Sequence, residues 1–243
     1  MNYFQLSRSA RYSILFAVPL LLAYETLAFL LGGSATAGVR NGADVLLKAL
    51  FLSLGGQRGL LAFDLVLLAI GATLVWRDRN TGGPLKPWIF AGMLGESIAL
   101  ALLFGTVVGT LTALLLQGPA ALAVGGLSQF GFGTQVMLSL GAGIYEELLF
   151  RVILVSGLAF LARRIIGWLP GASNIAGVLL GALIFSAFHY IGPYGDTWSL
   201  QSFAFRFVAG LVLNGLYVFR GFGIAAWTHA LYDLILSMVG AGG

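Results

Sequence analysis

The chain has 243 residues, of which 59% are hydrophobic and only 9% are charged, and its mean hydropathy is +0.95. Soluble domains carry roughly 25% charged residues, so this composition excludes an ordinary soluble protein and predicts a polytopic membrane protein. The net charge is +4, but no basic cluster exceeds the pair Arg163-Arg164, so we expect no nucleic-acid partner. Cysteine is absent, which excludes disulfides, thiolate metal ligands and a cysteine nucleophile.

Apolar runs along the chain predict an all-α fold, a polytopic membrane helix bundle of about seven transmembrane helices, with six to eight as the range. The predicted spans cover residues 12–31, 59–76, 88–117, 173–190, 199–219 and 222–239, with the fourth span between residues 134 and 164. The segment 41–56 is too short for a membrane span, which needs about 20 apolar residues. Asp44 and Lys48, four residues apart, predict an interfacial helix there. The short connections indicate a single integral membrane domain over residues 1–243.

Two stretches leave alternatives open. The first apolar run, Tyr12–Leu31, could also be a signal peptide, because Ala35-Thr36-Ala37 resembles a cleavage site. Signal-peptide apolar cores run only about 7–15 residues, so the greater length of this run favours an uncleaved first span. The uncharged, Gly-rich stretch Gly118–Gly133 is interpreted as a re-entrant or interfacial connection.

Basic residues sort with alternate connections. The amino terminus, the 77–87 loop, Arg163-Arg164 and Arg220 all fall on one predicted side of the membrane. The positive-inside rule then predicts a cytoplasmic amino terminus and an extracytoplasmic carboxyl terminus. We expect an integral protein of a prokaryotic inner or plasma membrane.

The stretch Glu146-Glu147-Leu148-Leu149-Phe150-Arg151 puts three ionisable side chains into an otherwise apolar span. A charge at that depth costs several kcal/mol, so we expect the groups to serve chemistry or transport. Residues four apart share a helix face, so Glu147 and Arg151 can pair. Glu146 points elsewhere, which leaves it available as a general base.

Two further spans supply polar groups. His189 ends the stretch Phe185-Ser186-Ala187-Phe188-His189 near the end of the predicted fifth span. His229 and Asp233 lie four residues apart in the last span and share a face. Groups on three separate spans can converge only inside a bundle. Counting residues from the ends of the spans, at a rise of about 1.5 Å per residue, places the predicted cavity towards the extracytoplasmic side.

These motifs, Glu-Glu-x-x-x-Arg, Phe-x-x-x-His and His-x-x-x-Asp in this order, resemble the CPBP family of glutamic intramembrane proteases. That family includes the type II CAAX prenyl endopeptidases, the bacteriocin-processing enzymes and the abortive-infection membrane proteins. The resemblance implies a catalytic core at 130–240, in which Glu146 and His189 activate a water for attack on the scissile carbonyl. It also implies that His229 stabilises the oxyanion with the residue four later, while Glu147 and Arg151 shape and orient the site.

Asp233 departs from the family pattern, because the best-known members have Asn at that position. Asn can donate a hydrogen bond to an oxyanion, whereas an ionised Asp cannot. Either Asp233 is protonated, or it accepts from His229 and orients that ring as the donor. The resemblance implies no cofactor and no metal, although Glu and His side chains could hold zinc.

Four ionisable residues lie within predicted spans but outside the motifs: Glu25, Asp64, Glu96 and Arg206. We expect them to form structural pairs, most simply between Arg206 and Glu96. The Gly-Ala-Gly run at 141–143 predicts a close approach of a neighbouring helix.

The sequence therefore predicts an intramembrane endopeptidase that acts on a membrane-associated or membrane-anchored protein substrate in the lipid bilayer. Two other functions remain open. Buried Glu, Asp, His and Arg are also the groups of a proton- or ion-coupled transporter, although no two-half symmetry is visible. A catalytically silent scaffold or immunity protein with the same fold is the third possibility, and Asp233 is the residue that favours it.

Overall fold

The computed structural model describes residues 1–31, 38–80, 83–117, 130–192 and 195–240, and all regular secondary structure within these ranges is helical. The α-helices are α1 (Tyr3–Ser7), α2 (Ala10–Leu31), α3 (Gly42–Gly55), α4 (Gln57–Arg77), α5 (Pro87–Leu116), α6 (Phe132–Gly141), α7 (Ser156–Leu161), α8 (Pro170–Phe188), α9 (Leu200–Arg220) and α10 (Phe222–Gly240). Two stretches, Ala142–Val155 and Ala162–Ile166, have π-helical hydrogen bonding. The cleavage-like Ala35-Thr36-Ala37 and residues 118–129 of the predicted Gly-rich connection lie outside the described residues.

The predicted all-α membrane bundle is confirmed. Among the described residues, α2, α4, α5, α8, α9 and α10 are long and apolar enough to cross a membrane. The predicted fourth span is a continuous helical run over residues 132–166, in which α6 and α7 alternate with the two π-helical stretches. We call this run the motif helix, because it carries Glu146, Glu147 and Arg151. π-helical hydrogen bonding is rare in proteins. Where it does occur, it often lies at a functional site.

The helix predicted near residues 41–56 is α3, which at 14 residues is shorter than a span. It begins where the side chain of Asn41 accepts a hydrogen bond from the Ala43 amide at 2.9 Å. Lys48 and Asp44 form the expected ion pair, with Nζ 2.8 Å from Oδ1. The interfacial position of α3 in a bilayer stays a prediction.

Helix α8 begins three residues before the predicted start and ends before the predicted end. Gly167 has a φ of +77°, which ends the motif helix in the left-handed conformation. Pro170 then occupies the first turn of α8, where a missing amide hydrogen is tolerated. The helix ends at Phe188, so His189 is the cap residue at its carboxyl end.

Small residues bring α10 and α2 close to the motif helix, as the 141–143 run predicts. A Cβ on Gly143 would lie 2.6 Å from the Cβ of Ala230 on α10, a distance that real side chains do not adopt. A Cβ on Gly141 would lie equally close, at 2.6 Å, to the ring of Tyr24 on α2. Close backbone approach at small residues is a common way to pack helices in a membrane.

Helix α10 lies at the centre of the bundle. It contributes Ala226 and Ala230 to the core cluster that contains α2 and the motif helix. It also contributes Tyr232 to a second cluster with α5 and α9, and Ile224 to a third with α1, α2 and α5. Its side chains are therefore held from several directions, which makes α10 a rigid support for His229.

The predicted pair between Arg206 and Glu96 is wrong. Glu96 pairs with Arg220, whose Nε lies 2.5 Å from Oε1, while Arg206 pairs with Asp196. Arg206 and Arg220 are 14 residues apart on α9, or about 21 Å along its axis. Glu96 lies at the depth of Arg220. Asp64 is exposed on α4 and forms no ion pair with the residues that the structure describes.

Candidate active site

Glu147 is fully buried and binds partners on two helices. On the motif helix, Nε of Arg151 lies 3.1 Å from its Oε2. On α10, Nδ1 of His229 donates a hydrogen bond to its Oε1 at 2.7 Å. Because each carboxylate oxygen has a cationic or donor partner, Glu147 acts as a link that fixes α10 against the motif helix.

Arg151 is also fully buried, and it stacks on an aromatic ring. Its guanidinium carbon lies 4.3 Å from the ring centroid of Phe185 on α8, a cation–π contact. Its nitrogens have no hydrogen-bond partner of good geometry among the described residues. The Glu147 carboxylate and the Phe185 ring therefore compensate the positive charge of the buried guanidinium. The stack on Phe185 also orients Arg151 against α8.

Glu146 has a different environment from its neighbour. Its exposed fraction is 8%, and its Oε1 accepts a hydrogen bond from Nδ2 of Asn41 at 2.8 Å. Its Oε2 has no hydrogen-bond partner within the described ranges. The described residues form no ion pair closer than 4 Å with this carboxylate, although electrostatic interactions connect it to His189 and His229. One oxygen of Glu146 is thus held by an amide, and the other remains able to accept a proton.

His189 lies at the end of α8 with one nitrogen engaged. Its Nδ1 lies 2.9 Å from the carbonyl oxygen of Phe185. A carbonyl only accepts, so Nδ1 carries the proton and a neutral ring has its lone pair on Nε2. The Phe185 ring packs edge-on against the imidazole at 4.8 Å between centroids. The Phe-x-x-x-His spacing therefore fixes both the tautomer and the ring plane.

Asp233 lies near His229 without a hydrogen bond to it. Its Oδ2 is 3.6 Å from Nε2 of His229, which is longer than a hydrogen bond. The carboxylate that orients the His229 ring is that of Glu147, so the orienting role considered for Asp233 has no hydrogen bond to support it here. The His229 imidazole thus lies between the carboxylates of Glu147 and Asp233.

Sequence reasoning missed Asn41, which the structure brings to Glu146 from the amino-terminal half of the chain. The signal available was local, because Asn before Gly-Ala at the start of an apolar run is a typical helix N-cap. That signal predicts the bond to Ala43 but not the contact with a residue 105 positions away.

A network of four charged side chains lies beside Asn41. Arg40 and Lys48 each contact both Glu25 and Asp44, at 2.7 to 3.0 Å, and we call these residues the four-charge network. Burial lowers the pKa of the Arg40 guanidinium, but the Asp44 and Glu25 carboxylates outweigh it and hold the pKa above its usual range. The two cations balance the two carboxylates, so the network is neutral as a group.

The described residues contain no group of three or more His, Cys, Asp or Glu side chains placed to hold a metal ion. The polar groups near Glu146 are arranged instead as hydrogen-bond and ion-pair partners of one another.

Comparison with known proteins supports the resemblance derived from the motifs. Residues 128–235 match the family model described as type II CAAX prenyl endopeptidase Rce1-like. This region contains the motif residues Glu146, Glu147, Arg151, His189, His229 and Asp233. No curated protein sequence and no solved structure shows a significant match to the chain.

Proposed function

We propose, from the match of residues 128–235 to the Rce1-like family model of type II CAAX prenyl endopeptidases, that this integral membrane protein is an endopeptidase of the glutamic type. The family supports an intramembrane protease with a protein substrate. The finer proposal is that Glu146 is the general base, and that the other motif residues position it, assist it or stabilise the oxyanion.

The observation that carries this proposal is the difference between the two adjacent glutamates. Glu147 accepts a hydrogen bond from His229 on one oxygen, and its other oxygen lies 3.1 Å from Nε of Arg151 in an ion pair that lacks hydrogen-bond geometry. Glu146 has one oxygen held by Asn41 and one without a hydrogen-bond partner among the described residues. A base must have a free lone pair near its substrate, and Glu146 is the carboxylate of the pair that meets this requirement.

In the proposed reaction, Glu146 and His189 bind one water between the free Glu146 oxygen and Nε2 of His189. Glu146 takes a proton from this water as the water oxygen attacks the carbonyl carbon of the scissile peptide bond. The carbonyl π electrons move to its oxygen, which becomes an oxyanion. When the tetrahedral intermediate collapses, the C–N bond breaks and the proton on Glu146 passes to the leaving amine, which regenerates the carboxylate.

His229 is proposed as the oxyanion donor. Its Nδ1 donates to Glu147, so Nε2 can donate only when the ring is an imidazolium. The nearby carboxylates of Glu147 and Asp233 stabilise that cation, so a proton is available on Nε2 for the oxyanion. Removal of one such donor typically costs about 10²–10³ in kcat.

The proposed substrate is a membrane-anchored or membrane-associated protein, cleaved in a segment that reaches the extracytoplasmic half of the bilayer. The proposed topology has a cytoplasmic amino terminus and an extracytoplasmic carboxyl terminus, from the distribution of Arg and Lys. A carboxyl-terminal reporter that is active only outside the cytoplasm tests the topology, and activity of a cytoplasm-specific reporter would contradict it.

Comparative membrane proteomics tests the function. A strain with Glu146→Gln should accumulate uncleaved precursors that its parent processes. Asp64→Asn is the matched acid-to-amide control, because Asp64 is exposed on α4 and lies outside the motif residues. Normal processing in the Glu146→Gln strain, with the variant protein present at the parental level, would contradict the glutamate-base mechanism.

A further inference from the structure

The part of the chain that precedes residues 128–235 contributes a hydrogen-bonding side chain, that of Asn41, to the motif residues. Asn41 lies between α2 and α3, and its exposed fraction is 6%. Its Oδ1 accepts from the Ala43 amide at 2.9 Å, and its Nδ2 donates to Oε1 of Glu146 at 2.8 Å. The same amide group thus caps α3 and binds the proposed base.

We infer that Asn41 is a positioning residue, which holds Oε1 of Glu146 so that Oε2 is directed to the water that it activates. The inference rests on the proposed role of Glu146 as the base. It adds that the site is incomplete without the amino-terminal half, whose α3 N-cap supplies the donor.

The cap determines which end of the amide faces Glu146. A backbone N–H can only donate, so the atom that it meets must be the carbonyl oxygen of Asn41. The NH₂ group then points to Glu146, where it can only donate. An amide neither gives up nor takes a proton in the reaction, so Asn41 can fix one carboxylate oxygen without competing for the proton on the other.

The four-charge network holds both sides of this contact. On the Asn41 side, the backbone N–H of Asn41 donates to the Tyr24 hydroxyl at 3.3 Å, and that hydroxyl donates to Asp44 at 2.7 Å. On the Glu146 side, the preceding residue Tyr145 donates its hydroxyl to Oε1 of Glu25 at 2.6 Å. Asn41 and Glu146 are therefore held at their separation by contacts other than their own hydrogen bond.

The motif helix is narrow where Asn41 approaches it. A Cβ added to Gly141, five residues before Glu146, would lie 2.8 Å from the Cβ of Asn41 and 2.6 Å from the Tyr24 ring. Neither atom is the end of a long flexible chain, so a methyl group would push the loop away. Gly141 thus permits the close approach that the Asn41–Glu146 hydrogen bond requires.

Substitution of Asn41 by Ser or Asp separates the two roles of the amide, because Ser, Asp and Asn are all good N-caps. Asn41→Ser keeps an acceptor for the Ala43 amide but removes the NH₂ group that donates to Glu146, because the Ser hydroxyl ends one bond earlier than Nδ2 of Asn41. We expect kcat to fall by about 10- to 100-fold, the scale of a small misplacement of a catalytic group, with KM within about twofold and a thermal midpoint that keeps the protein folded at the assay temperature. Asn41→Asp places a second carboxylate beside Glu146, and its kcat should fall at least as far.

Gly141→Ala tests the same contact from the motif helix and should also lower kcat more than it raises KM. Asn174→Ser is the matched control, because Asn174 is exposed on α8; its kinetics should be unchanged. All variants are assayed as full-length protein in liposomes, on a precursor identified by the proteomics above.

Unchanged kcat in Asn41→Ser would overturn the inference, as would a loss explained by the fraction of unfolded protein in both Asn41 variants. Glu146→Gln in the same assay separates the two proposals. If Glu146→Gln is inactive and Asn41→Ser is fully active, positioning by Asn41 fails and the proposed base stands. If Glu146→Gln remains active, the proposed function itself fails.

Discussion

Glu146 and Glu147 are adjacent in the sequence, yet the same Glu→Gln change at each should affect different properties of the protein. Glu147→Gln should lower the stability of the fold, because Glu147 joins the motif helix to α10. Glu146→Gln should remove the activity and leave the stability close to that of the parent. The two variants are chemically identical changes in one helix, so each serves as the control for the other.

The stability effect at Glu147 follows from burial. Glu147 and Arg151 both have an exposed fraction of 0%, and no other carboxylate lies within 4 Å of Arg151 among the described residues. Removal of one partner of a buried ion pair costs about 3–5 kcal/mol, since the other charge is left without compensation. Loss of the charge that faces His229 also weakens the contact to α10.

The activity effect at Glu146 follows from proton transfer. Gln has nearly the shape of Glu, and its carbonyl oxygen can still accept from Asn41, so the fold should lose less than about 1 kcal/mol. An amide cannot take a proton from water. Loss of a general base costs about 10²–10⁴ in rate, which corresponds to roughly 3–5.5 kcal/mol in the activation free energy.

The test uses both variants in the same liposomes. Cleavage of a precursor that accumulates in the Glu146→Gln strain is followed by gel shift under single-turnover conditions. Thermal unfolding is followed by the fluorescence of the five tryptophans at one fixed scan rate, since unfolding of a membrane protein is often irreversible. The expected result is an inactive Glu146→Gln with a parental midpoint, and a Glu147→Gln with a clearly lower midpoint.

Two results would refute this reasoning. If Glu146→Gln unfolds as early as Glu147→Gln, the first carboxylate is also a structural residue, and its loss of activity says nothing about proton transfer. If Glu147→Gln has the parental midpoint, Arg151 is compensated by something other than this ion pair, and the separation between a working and a structural glutamate is wrong.

Three further outcomes can be measured in the same way. Arg220→Met should lower the unfolding midpoint by a loss of about 1–3 kcal/mol, because Glu96 is left without its cation; a parental midpoint would contradict this. Gly143→Val should reduce both folded yield and activity, because the branched side chain would enter α10, and full activity would show that α10 can move away. Asp196→Asn should weaken the ion pair with Arg206 and lower kcat several-fold, because the loop that holds the end of α8 loosens; unchanged kinetics would separate that loop from the site.

The parts of the fold that depend on local pattern could be predicted from the sequence. Run length and hydropathy predicted the helices to within a few residues, and the pairs Asp44/Lys48 and Glu147/Arg151 follow from a spacing of four. The error at the start of α8 came from Gly167 and Pro170, which together set the end of one helix and the start of the next.

Contacts between distant parts of the chain could not be predicted in the same way. Glu25 and Glu96 were recognised as groups that need partners, but which cation each one meets depends on depth and helix order. The Arg206–Glu96 pair was wrong for that reason, and the His229–Glu147 hydrogen bond and the contact of Asn41 with Glu146 were not anticipated. The roles proposed for the motif residues stay predictions until the variants are measured.

The four-charge network has a consequence for how this region of the chain can change by mutation. Each of its acids contacts both of its bases, so losing any one member leaves a net charge beside Asn41. A second loss, of opposite sign, would restore neutrality, and the two changes should be far from additive. Sequence drift at these positions should therefore proceed through paired replacements of an acid and a base, because the single-step intermediates are less stable than either end point.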